Sequence, residues 1–309
     1  MRGLPATEAT KMTLRFHTLD VFTSALHGGN PLAVVFGGDG LSKAQQQRVA
    51  REFNLSETVF VLPATVPQAA HRLRIYTPAR ELPFAGHPTV GTACLLAELG
   101  LVSGQGEFEF LLEEGVGLVP LRVRLTPGEP AYAELTAAKL PEYGPPAPPA
   151  EALAEVLGLD PAVIGTRSEQ PRQVSCGLPF VLVPLAAPEQ LAAIDFNAQR
   201  ARELLAGGWA GELYVYAYGY EGELRARMFA PGLGIGEDPA TGSAAAALAG
   251  ALASEAQQDG ELRWELHQGV EMNRPSLLSL RAERRQGHVQ SVHVGGYSVR
   301  VSEGQLLGF

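Results

Sequence analysis

Two stretches of this 309-residue chain hold residue types that could bind an anion and move a proton: "PFAGHPTVGTACLLAEL" (83–99) and "GIGEDPATGSAAAALAGAL" (234–252). In each, a titratable residue stands directly before a proline, and a glycine follows three residues after that proline. The first stretch has His87, Pro88 and Gly91; the second has Asp238, Pro239 and Gly242. Strong helix formers come next in both, so each reads as a helix start. Glycine in an opening turn costs a helix roughly 1 kcal/mol relative to alanine. The first N–H groups of a helix lack intrahelical partners and sit at the positive end of its dipole, which favours a carboxylate or a charge that develops during reaction. Gly91 and Gly242 would let a ligand approach that backbone closely. The competing expectation is that each glycine only allows close helix–sheet packing. Asp238 also reads as an ordinary N-cap before a proline at N1. Histidine caps less well, so His87 is the harder of the two to explain structurally.

Other chemistries lack their residues. "GLGIGEDPATG" fails the GxGxxG spacing in either register and offers no Walker loop. Lys11, Lys43 and Lys139 fall in an N-terminal extension, a surface helix and a linker edge, so none suits a buried Schiff base. The histidines show no HxxxH or Cys/His ligand spacing, and no GxSxG elbow occurs. What is left is acid/base chemistry by Glu, His and Asp in an anion-binding cleft, with no metal and no cofactor. Glu57 in "FNLSETVFV" lies between a helix end and a buried strand, a place where most glutamates are solvated rim residues.

The elements that must position these groups come in two matching sets. "LRFHTLDVFT", "PLAVVFGG", "TVFVLP" and "HRLRIYTP" read as strands. "LSKAQQQRVAREFN" reads as a helix with Ser42 and Gln45 as a capping box, Val49 and Phe53 on one face, and Asn54 as terminator. About 150 positions on, the order returns: "CGLPFVLVPL" resembles "GGNPLAVVF", "GELYVYAY" resembles "SETVFVLP", and "LRARMFAP" resembles "LRIYTP". The second glycine-bearing helix then follows, with Asp238 aligned on His87. Such order indicates a tandem duplication. Each half offers about half a dozen strands around one helix that is rich in Ala and Leu all round, as a helix buried inside a curled sheet should be. Two such halves facing each other would place both helix starts on the floor of one cleft. The Pro-rich "KLPEYGPPAPPAE" is the expected linker, which sets domains at 13–138 and 151–309 around residues 139–150. The closing "GGYSVRVSEGQLLGF" is strand-like. It belongs to the second domain by sequence order, and could cross back to complete the sheet of the first.

With 46% hydrophobic and 18% charged residues, the composition is that of a soluble globular protein. A net charge of -9 and a pI near 5.3 argue against a nucleic-acid partner. Cys94 and Cys176 cannot form a disulfide scaffold and suit a reducing cytosol. "MRGLPATEATKMTLRF" lacks the apolar core of a signal peptide, and its first dozen residues read as a loose extension. The apolar run Ala244–Ala253 is short of the ~18–20 residues of a membrane span. A cytoplasmic protein without a membrane partner is expected.

"AREFNLSETVFV", "YTPARELPFAGHPTVGTA", "MFAPGLGIGEDPATGSAAAALAGAL" and "QGVEMNRPS" together resemble the PhzF-type phenazine-biosynthesis family, over nearly the whole chain from Thr13 on. That resemblance implies a diaminopimelate-epimerase-like α/β fold of two pseudo-symmetric domains, each a curved, mainly antiparallel sheet or barrel around a central helix. It also implies a homodimer, no cofactor, and an isomerase acting on a small carboxylate such as trans-2,3-dihydro-3-hydroxyanthranilate. Glu57 matches the family's catalytic acid/base; His87 and Asp238 match residues that flank the substrate and assist proton movement. Gly86, Gly242 and Ser243 match positions that hold the substrate through backbone amides and a hydroxyl. The epimerase relatives of the fold use paired cysteines, but here Ala85 precedes Gly86 and Thr241 precedes Gly242. An amino- or hydroxy-acid racemase on the same fold is the alternative, and a silent small-molecule-binding protein is a second. Cys176 in "VSCGLPF" and Asn273 in "EMNRPS" depart from the commoner family pattern.

Overall fold

Alternating apolar positions become strands whose inner faces wrap two helices. The computed structural model describes residues 13–233 and 235–308; the loose extension expected over the first dozen residues lies outside them. The first half contains β1 (Leu14–Val21), β2 (Asn30–Phe36), α1 (Lys43–Phe53), β3 (Glu57–Leu62), β4 (His71–Tyr76), β5 (Glu81–Leu82), α2 (Gly86–Glu98), β6 (Glu107–Glu114), β7 (Gly117–Arg124) and β8 (Ala131–Thr136). The second begins with β9 (Glu142–Tyr143), α3 (Ala150–Leu157), β10 (Arg172–Ser175), β11 (Pro179–Pro184), α4 (Glu189–Ala192) and α5 (Ala198–Leu205). It continues with β12 (Leu213–Tyr218), β13 (Leu224–Ala230), β14 (Ile235–Asp238), α6 (Gly242–Glu255), β15 (Gly260–Gln268), β16 (Ser276–Arg285) and β17 (His288–Leu306).

The ladders of the two halves follow one plan. β1–β2 and β3–β4 are antiparallel, β2–β3 and β4–β6 are parallel, and β6–β7–β8 is an antiparallel meander. In the same way β10–β11 and β12–β13 are antiparallel, β11–β12 and β13–β15 parallel, and β15–β16–β17 antiparallel. Closure is shared. β17 leaves β16, pairs with β8 over His293–Ser298, and then pairs with β1 over Ser298–Leu306. The first barrel is thereby closed with the last strand of the chain. Conversely, the run from β8 to β9 reaches into the second half, where Ala137 N–H donates to the Val292 carbonyl and Glu142–Tyr143 pairs with β10. A closed ladder has no edge to protect from other chains.

α2 and α6 run inside these barrels. Val90, Leu95 and Leu96 of α2 and Ala244, Leu248 and Ala251 of α6 are fully buried, in one core with the inward strand residues. Small side chains let α6 fit a lumen whose wall is only one strand thick. The amphipathic α1 packs outside, where Val49 and Ala50 meet Phe60 and Tyr76. Its capping box is present: Ser42 Oγ accepts from Gln45 N–H while Gln45 Oε1 accepts from Ser42 N–H at 2.9 Å, and Asn54 ends the helix at φ 51°.

Gly91 serves packing, not ligand approach. A Cβ there would lie 2.5 Å from Val21 Cγ2 and 2.8 Å from Leu32 Cδ2, so the glycine is what lets α2 sit against β1 and β2. Cys94 and Cys176 are both buried, and burial pushes each thiol up to about 12. None of the described helices is long and apolar enough to cross a membrane.

Candidate active site

The two helix starts meet backbone to backbone. Gly86 is the first residue of α2 and Gly242 the first of α6. A Cβ on Gly86 would stand 3.0 Å from Gly242 Cα, and one on Gly242 would stand 3.3 Å from Gly86 Cα. This contact explains Gly242. It also corrects the alignment of His87 on Asp238, because the structural partner of Gly242 is Gly86, not Gly91. His87 is the second residue of α2, whereas Asp238 ends β14, ahead of the turn into α6. Asp238 is therefore not the N-cap. Thr241 is, as Ala85 is for α2, and neither donates or accepts a side-chain capping bond. Among the described residues the amides of Gly86 and His87 in α2 and of Gly242 and Ser243 in α6 have no hydrogen-bond partner and are left to water or a ligand.

Beside this junction a cavity of about 280 Å³ lies between the halves. Leu82, Pro83 and Phe84 form one wall; Leu178, Phe180 and Met228 form the other. Glu57, Asp238, Thr241 and Ser243 supply its polar surface, with Arg80 and Glu212 also lining it. Gly86 is buried at the junction, next to the cavity-lining Ala85.

Glu57 opens β3, and parallel pairing with β2 sets it opposite Leu32, pointing inward. Its side chain is 14 % exposed, and Oε2 lies 3.4 Å from His87 Nδ1. Burial raises the Glu57 carboxyl well above its ordinary value, and the nearby Asp238 raises it further. Burial likewise pushes Asp238 up to about 6, against hydrogen bonds from Thr241, Asn30 and Ser56 that stabilise its charge. Burial lowers His87 to about 3, so the imidazole is neutral across the working range.

Asn30 organises these groups. Its Nδ2 donates to Asp238 Oδ1 and to the Ala240 carbonyl, both at 2.9 Å. With both amide hydrogens engaged, the 3.4 Å contact to His87 Nδ1 takes no proton from Asn30. His87 Nδ1 faces Glu57, as donor or acceptor according to tautomer, and a hydrogen bond from the ring to the Pro31 backbone opposes the effect of burial. Asp238 Oδ1 also accepts from Ser56 Oγ at 3.3 Å, and Oδ2 accepts from Thr241 Oγ1. Replacing Asn30 by Asp exchanges a donor for an acid beside Asp238. The acid limb of the pH–rate profile is expected to move up by about one pH unit or more in Asn30→Asp.

All six residues expected from the sequence gather here: Glu57, His87 and Asp238 in one polar cluster around Asn30, Gly86, Gly242 and Ser243 at the helix junction. Asn30, Ser56, Thr241 and Gln268 complete the network without having been singled out beforehand. Asn30, a polar residue between two glycines and a proline in "GGNPL", was the one visible signal. Among the described residues no group of three or more His, Cys, Asp or Glu side chains could hold a metal ion.

Paired barrels around buried helices, with their helix starts in contact, define the diaminopimelate-epimerase-like fold. Within that class the chain belongs to the family described as Phenazine biosynthesis-like protein, PhzC-PhzF, which it matches over residues 19–304. It is 43% identical over 302 residues to an uncharacterised isomerase of Mesorhizobium japonicum, covering 96% of this chain and 99% of that one. It is 38% identical to the trans-2,3-dihydro-3-hydroxyanthranilate isomerase of Pseudomonas aeruginosa, with 94% and 98% covered. A Bacillus anthracis phenazine biosynthesis protein of the PhzF family superposes with a TM-score of 0.86 at 25% identity, covering 96% of this chain and 99% of that one.

Proposed function

We propose that this isomerase moves a proton between two carbons of a small carboxylate of the trans-2,3-dihydro-3-hydroxyanthranilate kind, with Glu57 as the acid/base. The observation that carries the reading is the buried Glu57 carboxyl, raised in pKa, facing His87 at 3.4 Å beside the two helix starts. Glu57 as carboxylate takes the proton: a C–H bond breaks, an O–H bond forms, and the electron pair moves into the conjugated system. The O–H bond then breaks as the proton returns to the second carbon. A carboxyl raised towards neutrality can run both steps. His87 holds Glu57 in place as a neutral partner, and Asp238, set by Asn30 and Thr241, assists proton movement at the other side of the substrate. Amides at Gly86 and Gly242 and the Ser243 hydroxyl hold the substrate and meet the charge that develops; two helix ends can supply several kcal/mol of such stabilisation. No step draws on a cofactor. The family resemblance brings a homodimer with it, and two unpaired thiols suit a cytoplasmic setting.

The test is incubation with trans-2,3-dihydro-3-hydroxyanthranilate in deuterated water, followed by NMR. Double-bond migration with label at the new C–H position is expected. Inversion at a stereocentre without migration, or no exchange at all, overturns the proposal. The rate is expected to be bell-shaped in pH, with its acid limb above the usual carboxylate range because Glu57 must lose its proton to act as a base and its pKa is raised. A flat profile from about pH 5 to 9 counts against this mechanism.

A further inference from the structure

Registering the halves on their parallel ladders brings out a pair of residues outside the proton path. His71 faces Leu112 where Leu224 faces Leu266. Two residues further along stand Glu114, at the end of β6, and Gln268, at the end of β15. Both are buried, at 6% and 0% exposure. Each reaches the start of its own half's central helix.

Gln268 uses its whole amide for this. Nε2 donates to the Asp238 carbonyl at 2.7 Å and to Thr241 Oγ1 at 3.1 Å; Oε1 accepts from Thr241 N–H at 3.2 Å and from the Tyr214 hydroxyl at 2.9 Å. These bonds fix the turn between Asp238 and α6. Glu114 does the corresponding work through Thr89, in the first turn of α2. Thr89 Oγ1 lies 2.7 Å from the carbonyl of Ala85, the N-cap, and 2.6 Å from Glu114 Oε1. A hydroxyl has one proton, and a carbonyl can only accept. One hydroxyl proton cannot serve both oxygens, so holding the two short contacts at once requires a second proton, which the Glu114 carboxyl supplies when Thr89 donates to Ala85.

We propose that Glu114 and Gln268 are a pseudo-symmetric pair of positioning residues, one bracing each helix start, and that Glu114 does so as a neutral carboxylic acid. Its surroundings agree. Burial pushes the Glu114 carboxyl up to about 8, against the Thr89 hydroxyl, which favours the charged form, and its Oε2 is buried without a partner among the described residues. Among the described residues its hydrogen-bond partner on the helix side is the Thr89 hydroxyl. The groove on its other side is bordered by Lys43, Arg72, Arg74, Glu81 and Glu113. Lys43 and Arg74 are engaged by Glu81 and Glu113 by Thr65, Arg72 acts on Glu113, and none of these cations comes within ion-pair distance of Glu114 among the described residues. As pH rises through the ionisation of Glu114, the single Thr89 proton is drawn to the carboxylate, its bond to the Ala85 carbonyl is given up, and the α2 start, which carries Gly86 and His87, loosens. The α6 start, held by an amide, does not respond.

Backbone amide hydrogen exchange on the whole protein at pH 6.5 and 9.0, corrected for intrinsic base catalysis, tests this. In the wild type, protection of the hydrogen-bonded amides of Thr89 and Val90 in α2 is expected to fall about tenfold or more between the two pH values relative to those of Ala245 and Ala246 in α6. Glu114→Gln, whose amide donates the same bond to Thr89, should keep that protection at both. Glu114→Leu should lose it at both, and Gln268→Leu should loosen α6 instead. Equal wild-type protection at the two pH values, or a Glu114→Gln protein that still loosens at pH 9.0, overturns the proposal. Should the leucine variants fail to fold, the comparison of wild type with Glu114→Gln decides alone. The inference rests on the proposed proton shift only for its catalytic consequence. Exchange needs no substrate, so a failed brace and a failed assignment of the reaction give different results.

Discussion

Glu57→Gln is expected to lower turnover of the carboxylate substrate by on the order of 10^3-fold while making the folded protein more stable at alkaline pH. The first half follows from chemistry. An amide of the same shape keeps the contact to His87 but can neither take a proton from carbon nor return one. The second half follows from linkage. The folded-state pKa of Glu57 is raised, because burial disfavours the carboxylate and Asp238 adds like charge. The folded protein thus holds a proton that the unfolded chain gives up near its ordinary carboxyl pKa. Stability that is complete below the unfolded pKa is lost progressively as pH climbs to the folded one. Gln removes that loss. Thermal denaturation should show the variant gaining on the wild type as pH rises above the ordinary carboxyl range, and NMR-detected exchange in deuterated water should show it inactive. Exchange left intact in Glu57→Gln would mean another group is the base. Activity lost together with stability at every pH would mean that Glu57 is a structural residue.

The periodic features of the fold were legible because they depend on near neighbours. The capping box at Ser42 and Gln45 closes within one turn, and the Ala/Leu-rich α2 and α6 announce burial on all sides. The matched order of strands exposed the duplication. What a local pattern could not convey was register. "HPTVG" and "DPATG" share a proline and a glycine at one spacing, but the first lies inside a helix and the second crosses from a strand into one. Proline tolerates both places, since a first-turn N–H and a turn N–H are equally dispensable. The coincidence set His87 against Asp238, whereas contact geometry sets Gly86 against Gly242. The polar network was hidden for another reason. Asn30 meets Asp238 across 208 positions of sequence and Gln268 meets Tyr214 across 54, separations that carry no periodicity. Glu57 looked like a rim residue because the residues that bury it, Asp238 among them, lie in the other half of the chain.

The contact between the helix starts makes a graded prediction that separates packing from catalysis. In Gly86→Ala the added methyl would meet Gly242 Cα at 3.0 Å, Gly242 C at 3.1 Å and Ser243 N at 3.1 Å. All three are backbone atoms, and no rotamer change relieves them. The helix starts must separate, so a cost of about 2–3 kcal/mol is expected, as for overpacking of a close-packed interior. The same separation moves the amides that face the substrate. Displacements of under an ångström at a reacting centre can cost about 10^2-fold in rate, so kcat should fall with stability. Gly242→Ala makes the milder contacts, none closer than 3.3 Å, and should cost less than about 1 kcal/mol and about tenfold in kcat. Gly91→Ala gives the control. Its methyl would press on the side chains of Val21 and Leu32, neither of which lines the cavity, so it should lower the melting temperature with less change in kcat than Gly86→Ala. If all three variants lose kcat in proportion to stability, the helix junction contributes to the reaction only by being folded. If Gly86→Ala loses far more activity than Gly91→Ala at equal loss of stability, the spacing of the two helix starts is itself part of the catalytic apparatus.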